Sequence, residues 1–304
     1  MMTKEWPLAV FTLLSQTAVG AFWALAIPFL FSRKTSGDGG GLYLNVRTLG
    51  GIVVLVGLAA AMSFFHLGSP IRAFHAMKNV QTSWLSREIL FELTFLFLAA
   101  LIGFLKLIKA GRPALLRGLV VLAAFAGLAF LASMARIYML ETVPAWRSLH
   151  TPLSFYLSAV LLGSLAAAYS VRQIPIGLAL AGRLDNPASV LRGFASFQNA
   201  AVVAALVAAA LAVILMFAFT PGVGFLGVKR VTLLDLSVSR IWLFLLIRLV
   251  LICAAAWLLS AALSRGLAGG SAVDRLLLWA LLSALAAEAV GRILFFSLYG
   301  RLGV

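Results

Sequence analysis

His66 ends one long apolar run and opens the segment Leu67-Gly68-Ser69-Pro70-Ile71-Arg72-Ala73-Phe74. Glu88 and Glu92 stand four residues apart, so they fall on one face of a helix. Arg136 and Tyr138 close another apolar run, just before Glu141-Thr142-Val143-Pro144-Ala145-Trp146. Glu288 and Arg292 repeat the four-residue spacing near the far end of the sequence. An ionisable side chain inside a bilayer costs at least about 2.5–3.5 kcal/mol on the insertion scale, so each of these is a functional candidate. Burial can bring imidazole and carboxyl groups near neutrality, and arginine supplies fixed donors. Such a set can accept protons and hydrogen bonds from a lipid-soluble quinol.

The elements that must carry these residues follow from composition. The protein has 304 residues, of which 63% are hydrophobic and only 11% charged, with a mean hydropathy of +1.09. Soluble domains carry roughly 25% charged residues. A soluble globular protein, a disordered polypeptide and a disulfide scaffold are therefore excluded, and a polytopic membrane protein is implied. The net charge of +15 comes from basic residues placed singly between apolar runs. That placement fits lipid headgroups and loop anchoring, not nucleic acid. The single cysteine, Cys253, lies within an apolar run. It reads as a small buried residue and supports neither an intrachain disulfide nor a four-thiolate iron–sulfur cluster.

About 20 apolar residues cross the hydrocarbon core. Eight stretches qualify: Pro7–Phe31, Thr48–Phe65, Ile89–Leu105, Gly118–Ala135, Thr151–Val171, Ala195–Phe219, Ile241–Leu263 and Leu276–Leu298. The expected fold is all-α, one membrane domain over 1–304 built as a bundle of eight transmembrane helices. The first stretch reads as a retained span, because no cleavage-site pattern follows it. Polar connections are expected at Ser32–Arg47, Arg172–Arg192 and Pro221–Gly227, and no internal repeat stands out. Eight spans put both termini on one face. Basic residues divide almost evenly between the faces, but Lys106, Lys109, Arg112 and Arg117 crowd one loop without an acid. That loop favours placing the termini outside.

An up-and-down path brings the ends of spans two, four and eight and the start of span three to the terminal face. His66, Arg72, Glu88, Arg136, Glu288 and Arg292 should then converge near one membrane level. Plainer roles stand beside this. The arginines can snorkel as interfacial anchors, Glu288 and Arg292 can form a pair that secures the last helix, and Glu92 can be a packing carboxylate paired with a neighbour. His75 and His150 read as loop histidines, Arg248 lies within span seven, and Trp6, Trp84 and Trp146 suit an aromatic belt. With three histidines, none at mid-depth, the usual membrane haem pair is not expected. Phosphate-binding glycine loops, H-E-x-x-H and G-x-S-x-G are also missing from the sequence. No metal site is expected.

Glu5-Trp6-Pro7-Leu8, His66-Leu67-Gly68-Ser69-Pro70 with Arg72-Ala73-Phe74, Ser86 and Glu88, Arg136-x-Tyr138, Thr142-Val143-Pro144-x-Trp146, Thr151-Pro152 and Glu288-x-x-Gly291-Arg292 follow in order. Together they resemble the integral membrane anchor subunit of anaerobic dimethyl sulfoxide reductases, over essentially the whole sequence. The resemblance implies an inner-membrane subunit of eight spans, without haem or iron–sulfur cluster, that binds and oxidises menaquinol. It also implies an iron–sulfur electron-transfer subunit and a molybdopterin catalytic subunit as partners. His66 and Glu88 match the family's quinol-site residues and are the expected catalytic pair. Arg72, Arg136, Glu288 and Arg292 are expected to complete the menaquinone/menaquinol site. Electrons would leave to a partner cluster docked on loops 67–87, 139–150 and 220–240. Three alternatives remain open: a quinone-reducing anchor of a sulfite, polysulfide or tetrathionate enzyme, a proton-coupled secondary transporter, and a purely structural anchor with no quinone site.

Overall fold

A computed structural model describes residues 6–31, 43–67, 79–141, 143, 146–180, 187–218, 238–265 and 270–297. Those residues form eight long helices: α1 (Trp6–Phe31), α2 (Val46–Leu67), α3 (Trp84–Leu107), α4 (Pro113–Tyr138), α5 (His150–Leu180), α6 (Pro187–Ala218), α7 (Val238–Arg265) and α8 (Gly270–Ser297). All eight contain stretches long and apolar enough to cross a membrane. Local chemistry sets several starts. The Asn45 side chain accepts from the Arg47 and Thr48 amides at 2.8 and 3.0 Å, and Ser83 accepts from the Ser86 amide at 3.3 Å. Each satisfies amides that the first turn leaves without an intrahelical acceptor. Pro113 occupies the first position of α4, where a missing N–H costs nothing.

The expected connection at Arg172–Arg192 is corrected. Helix α5 continues to Leu180 and α6 begins at Pro187, so the link between them is 181–186. Ile174-Pro175-Ile176-Gly177-Leu178-Ala179-Leu180 is apolar enough to extend the span despite its glycine and proline. Arg172 is no loop residue either. Its guanidinium pairs with Asp274 and donates to the Gly270 carbonyl at 2.7 Å, tying the end of α5 to the start of α8.

The helices pack as two four-helix units. Phe22, Phe95, Phe130, Leu49 and Ile102 centre the first, α1–α4. Leu161, Leu165, Val202, Ile252, Leu259 and Leu277 centre the second, α5–α8. In each unit the first two helices and the last two pair extensively, and the cross pairings between them are lighter. The contact of α4 with α5 is mirrored by that of α8 with α1. The two units share this pairing pattern and, with four helices each, begin on the same face. The interiors differ: Phe11, Phe22, Phe95 and Phe130 are buried in the first unit, whereas the buried residues of the second cluster are all aliphatic.

The units meet along α1 and α5, which cross at Gly20 and Gly163. A Cβ on Gly20 would run into the Ala159 carbonyl, and one on Gly163 would run into the Gly20 backbone. Backbone-to-backbone approach of this kind is the membrane solution to helix association, where lipid offers no hydrophobic drive.

Candidate functional site

The alternating path places the starts of α1, α3, α5 and α7 and the ends of α2, α4, α6 and α8 on one face. Along their helices, at 1.5 Å per residue, the polar residues fall into two tiers. Arg136 lies about 3 Å, Glu88 about 6 Å and Arg292 about 8 Å from its helix end. Glu92, Ser158, Glu288, Gln16 and Arg248 lie about 12–15 Å in. Of the residues expected to converge, His66, Glu88, Arg136, Glu288 and Arg292 lie on helices that bring them toward this face, but at different depths and not in one place, and Arg72 lies outside the described residues.

In the first unit, Glu88, Glu92, Phe95, Ala99 and Ile102 make one buried stripe on α3. Its i, i+4, i+7 spacing turns both carboxyls toward the interior, where Phe95 meets Phe22 edge-to-face at 5.4 Å. His66 falls in the last turn of α2, the helix next to α3, and its backbone lies level with the first turns of α3. Its side chain and all of Arg72 lie outside the described residues. The neighbour expected to pair with Glu92 is not found among the described residues. Among the described residues the Glu92 Oε1 has no hydrogen-bond partner.

The second place is the junction of α1, α5, α7 and α8. Glu288 is 2% exposed. It accepts from Ser158 Oγ at 2.5 Å and from Arg248 Nη2 at 3.1 Å. Arg292 Nη2 donates to Gln16 Oε1 at 2.8 Å and to Ser158 Oγ at 3.4 Å, and its guanidinium lies 4.0 Å from the Phe155 ring centroid. Glu288 and Arg292 are therefore joined through Ser158 instead of forming a direct i,i+4 bond. Gly291 makes room for Arg248, because a Cβ there would sit 2.8 Å from the Arg248 Cζ. His150, expected in a loop, is the first residue of α5.

Sequence reasoning missed Gln16, Ser158 and Arg248 as partners. The available signal was the isolated charge of Arg248 within span seven, which needs a buried counter-charge. The pairing itself joins positions 40 residues apart for Arg248 and 276 apart for Gln16 with Arg292.

Arg136 is placed differently from the other expected site residues. It is exposed, donates Nη1 to the Met139 carbonyl of its own helix end at 3.0 Å, and lies 5.7 Å from the Trp84 ring centroid. The neighbouring Trp146 is a lock, not a belt residue. Its indole donates to the Phe295 carbonyl at 2.8 Å and stacks on the Phe295 ring, with Tyr138 edge-on to both. That contact fastens the α4–α5 link to the end of α8. Of the docking loops expected at 67–87, 139–150 and 220–240, residues 68–78, 142, 144, 145 and 220–237 lie outside the described residues. No group of three His, Cys, Asp or Glu that could hold a metal occurs among the described residues.

Residues 1–298 match the family described as DMSO reductase anchor subunit (DmsC). The protein is 32% identical over 200 residues to the C subunit of anaerobic dimethyl sulfoxide reductase of Escherichia coli, a match spanning 62% of this sequence and 69% of that one. It is 33% identical over 168 residues to the YnfH subunit of an anaerobic dimethyl sulfoxide reductase, also of Escherichia coli. To the C subunit of the Haemophilus influenzae anaerobic dimethyl sulfoxide reductase it is 34% identical over 170 residues. Each of these two matches spans 55% of this sequence and 58% of the relative. A multi-pass membrane fold of eight helices, without strands among the described residues, agrees with that match, and the protein belongs to the family of DMSO reductase anchor subunits.

Proposed function

We propose that this protein holds an oxidoreductase complex on the cell inner membrane, with both termini on the outer face, and oxidises menaquinol within its first four-helix unit. The observation that carries the reading is Glu88: a carboxyl buried one turn from the start of α3, turned inward, beside the helix end that bears His66. A quinol ring entering there meets an imidazole and a carboxylate at one level. Oxidation releases two protons and two electrons. Glu88 and His66 each accept one proton, and Arg72 holds a quinone oxygen. The electrons pass singly to an iron–sulfur cluster of a partner subunit seated on the same face, which feeds a molybdopterin catalytic subunit. The relatives' names, all of dimethyl sulfoxide reductase subunits, support that assembly. The arginine–glutamate junction of α1, α5, α7 and α8 supports the site from behind, through α1, which both units share.

The transporter alternative expects inverted repeats and broken helices near the midplane. The two units run in parallel topology instead, and each described helix is continuous.

The test is quinol-driven turnover of the purified complex carrying His66→Leu or Glu88→Gln. Both variants should lose at least about a hundredfold in turnover, the scale of a lost general base. Reduction of the catalytic subunit's substrate by an artificial dye donor should be unchanged. Normal quinol turnover in both variants would remove the site from the first unit.

A further inference from the structure

We propose that Trp84, Arg87 and Arg136 form a binding site for the phosphate headgroup of an anionic phospholipid. Trp84 opens α3 on the terminal face and is 39% exposed. Two guanidinium groups share its ring: Arg87 lies 4.3 Å and Arg136 5.7 Å from the centroid. Both are held in place from behind. Arg87 donates Nε to the Val80 carbonyl at 2.9 Å and Nη2 to the Gln81 carbonyl at 2.5 Å, and Arg136 donates to Met139. A guanidinium has five N–H donors, so most of the donors on this pair have no acceptor among the hydrogen bonds of the described residues. No carboxylate among the described residues pairs with either arginine, whereas Arg147 nearby pairs with Glu141 at 3.2 Å.

The apolar surface beneath says which anion fits. On α4 the exposed positions run Phe125, Leu128, Ala132 and then Arg136, a single lipid-facing stripe that ends in the guanidinium. On α3, its partner helix, Leu90, Leu93, Phe97 and Phe104 are exposed beyond the first turn. An acyl tail lying along Phe97 and Phe125 would bring its phosphate to the level of Arg87 and Arg136. Two guanidinia meet phosphate oxygens through short charge-assisted bonds, and the indole keeps both planes in register. A soluble phosphate would gain the charges but nothing from the stripe. This assignment does not rest on the menaquinol reading, and it takes Arg136 out of the quinone's partners.

The experiment uses the intact complex in vesicles of phosphatidylglycerol or of phosphatidylcholine, followed by native mass spectrometry of the released complex. The wild type should retain phosphatidylglycerol in preference to phosphatidylcholine, and excess inorganic phosphate should not displace it. The double variant Arg87→Gln/Arg136→Gln should bind phosphatidylglycerol at least about tenfold more weakly, the loss expected when charge-assisted bonds go. Trp84→Leu should weaken it too, by releasing both guanidinia. Equal retention of the two lipids, or full retention by the double variant, would overturn the proposal. Displacement by inorganic phosphate would assign the arginines to a soluble anion and overturn it as well. So would unchanged lipid retention together with a raised KM for quinol in the double variant, which would return the arginines to the quinone site.

Discussion

Removing the Glu288 carboxylate should cost more than removing the arginine bonded to it. The reason is the charge count of the buried junction. Glu288 faces two guanidinia, Arg248 through a direct bond and Arg292 through Ser158. Both arginine Nε donors are already unsatisfied among the described residues. Glu288→Ala leaves two like charges together without an anion, and Ser158 is left with the Ser154 carbonyl, at 2.7 Å, as its acceptor. Stranding one buried charge costs about 3–5 kcal/mol, and the second guanidinium adds to that. Arg248→Met has a different outcome. Glu288 keeps Ser158 and the field of Arg292, the local charge becomes balanced, and the loss is bounded by one charged hydrogen bond, about 1.5–3 kcal/mol.

The assay is SDS titration of the purified subunit in mixed micelles, followed by tryptophan fluorescence and repeated on the double variant Glu288→Ala/Arg248→Met. The expected order of stability is wild type, then Arg248→Met, then Glu288→Ala. The coupling between the two positions should be at least about 1 kcal/mol. Arg248→Met falling below Glu288→Ala would refute the charge argument, since it would mean that the junction needs its positive charge more than its negative one. Additive losses would refute the pairing itself.

Two further outcomes follow from the same packing. Gly163→Leu should drive a side chain into the α1 backbone at the unit interface, costing at least the 1–3 kcal/mol or so of overpacking and separating the two units; disulfide trapping of cysteines introduced on α1 and α5 checks it. Glu92→Gln should change stability by less than about 1 kcal/mol, because no cation among the described residues stands at its depth for the carboxylate to lose. The same SDS titration reads this, and a loss above about 2 kcal/mol would reveal a partner at that level.

Much of the architecture was legible because bilayer thickness is a ruler. Each of the eight apolar stretches became a helix, and the up-and-down path then placed His66, Glu88, Arg136, Glu288 and Arg292 on one face. Depth and direction were harder to read. The i,i+4 spacing of Glu288 and Arg292 looks like a self-contained pair, yet at that spacing Glu288 also reaches Ser158 on α5 and Arg248 on α7. Only the contact between separate helices reveals those partners, and each lies more than 30 residues away in sequence. Arg136 illustrates the converse. Its position at the end of α4 was legible, but its side of the helix follows from the stripe of Phe125, Leu128 and Ala132, which turns it to lipid.

The contrast between the two buried acids carries the argument about where chemistry sits. Helix α1 contains no charged residue, and the ionisable groups of α2 and α4 other than Tyr138 are Arg47, His66, Arg117 and Arg136, all near helix ends. Glu92 therefore has no cation at its depth among the described residues of its unit. Glu288, at a similar depth in the other unit, is held by two arginines and a serine. A carboxyl fixed so firmly has its charge already answered and is poorly suited to exchanging protons with a substrate. Glu88 lies between these extremes, buried yet one turn from the face, beside the end of α2. That depth suits the role proposed for Glu88, taking a proton from quinol and returning it to water. The two units thus differ in their buried acids, with a neutralised polar joint at the second unit and, in the first, a buried acid stripe that has no cation among the described residues.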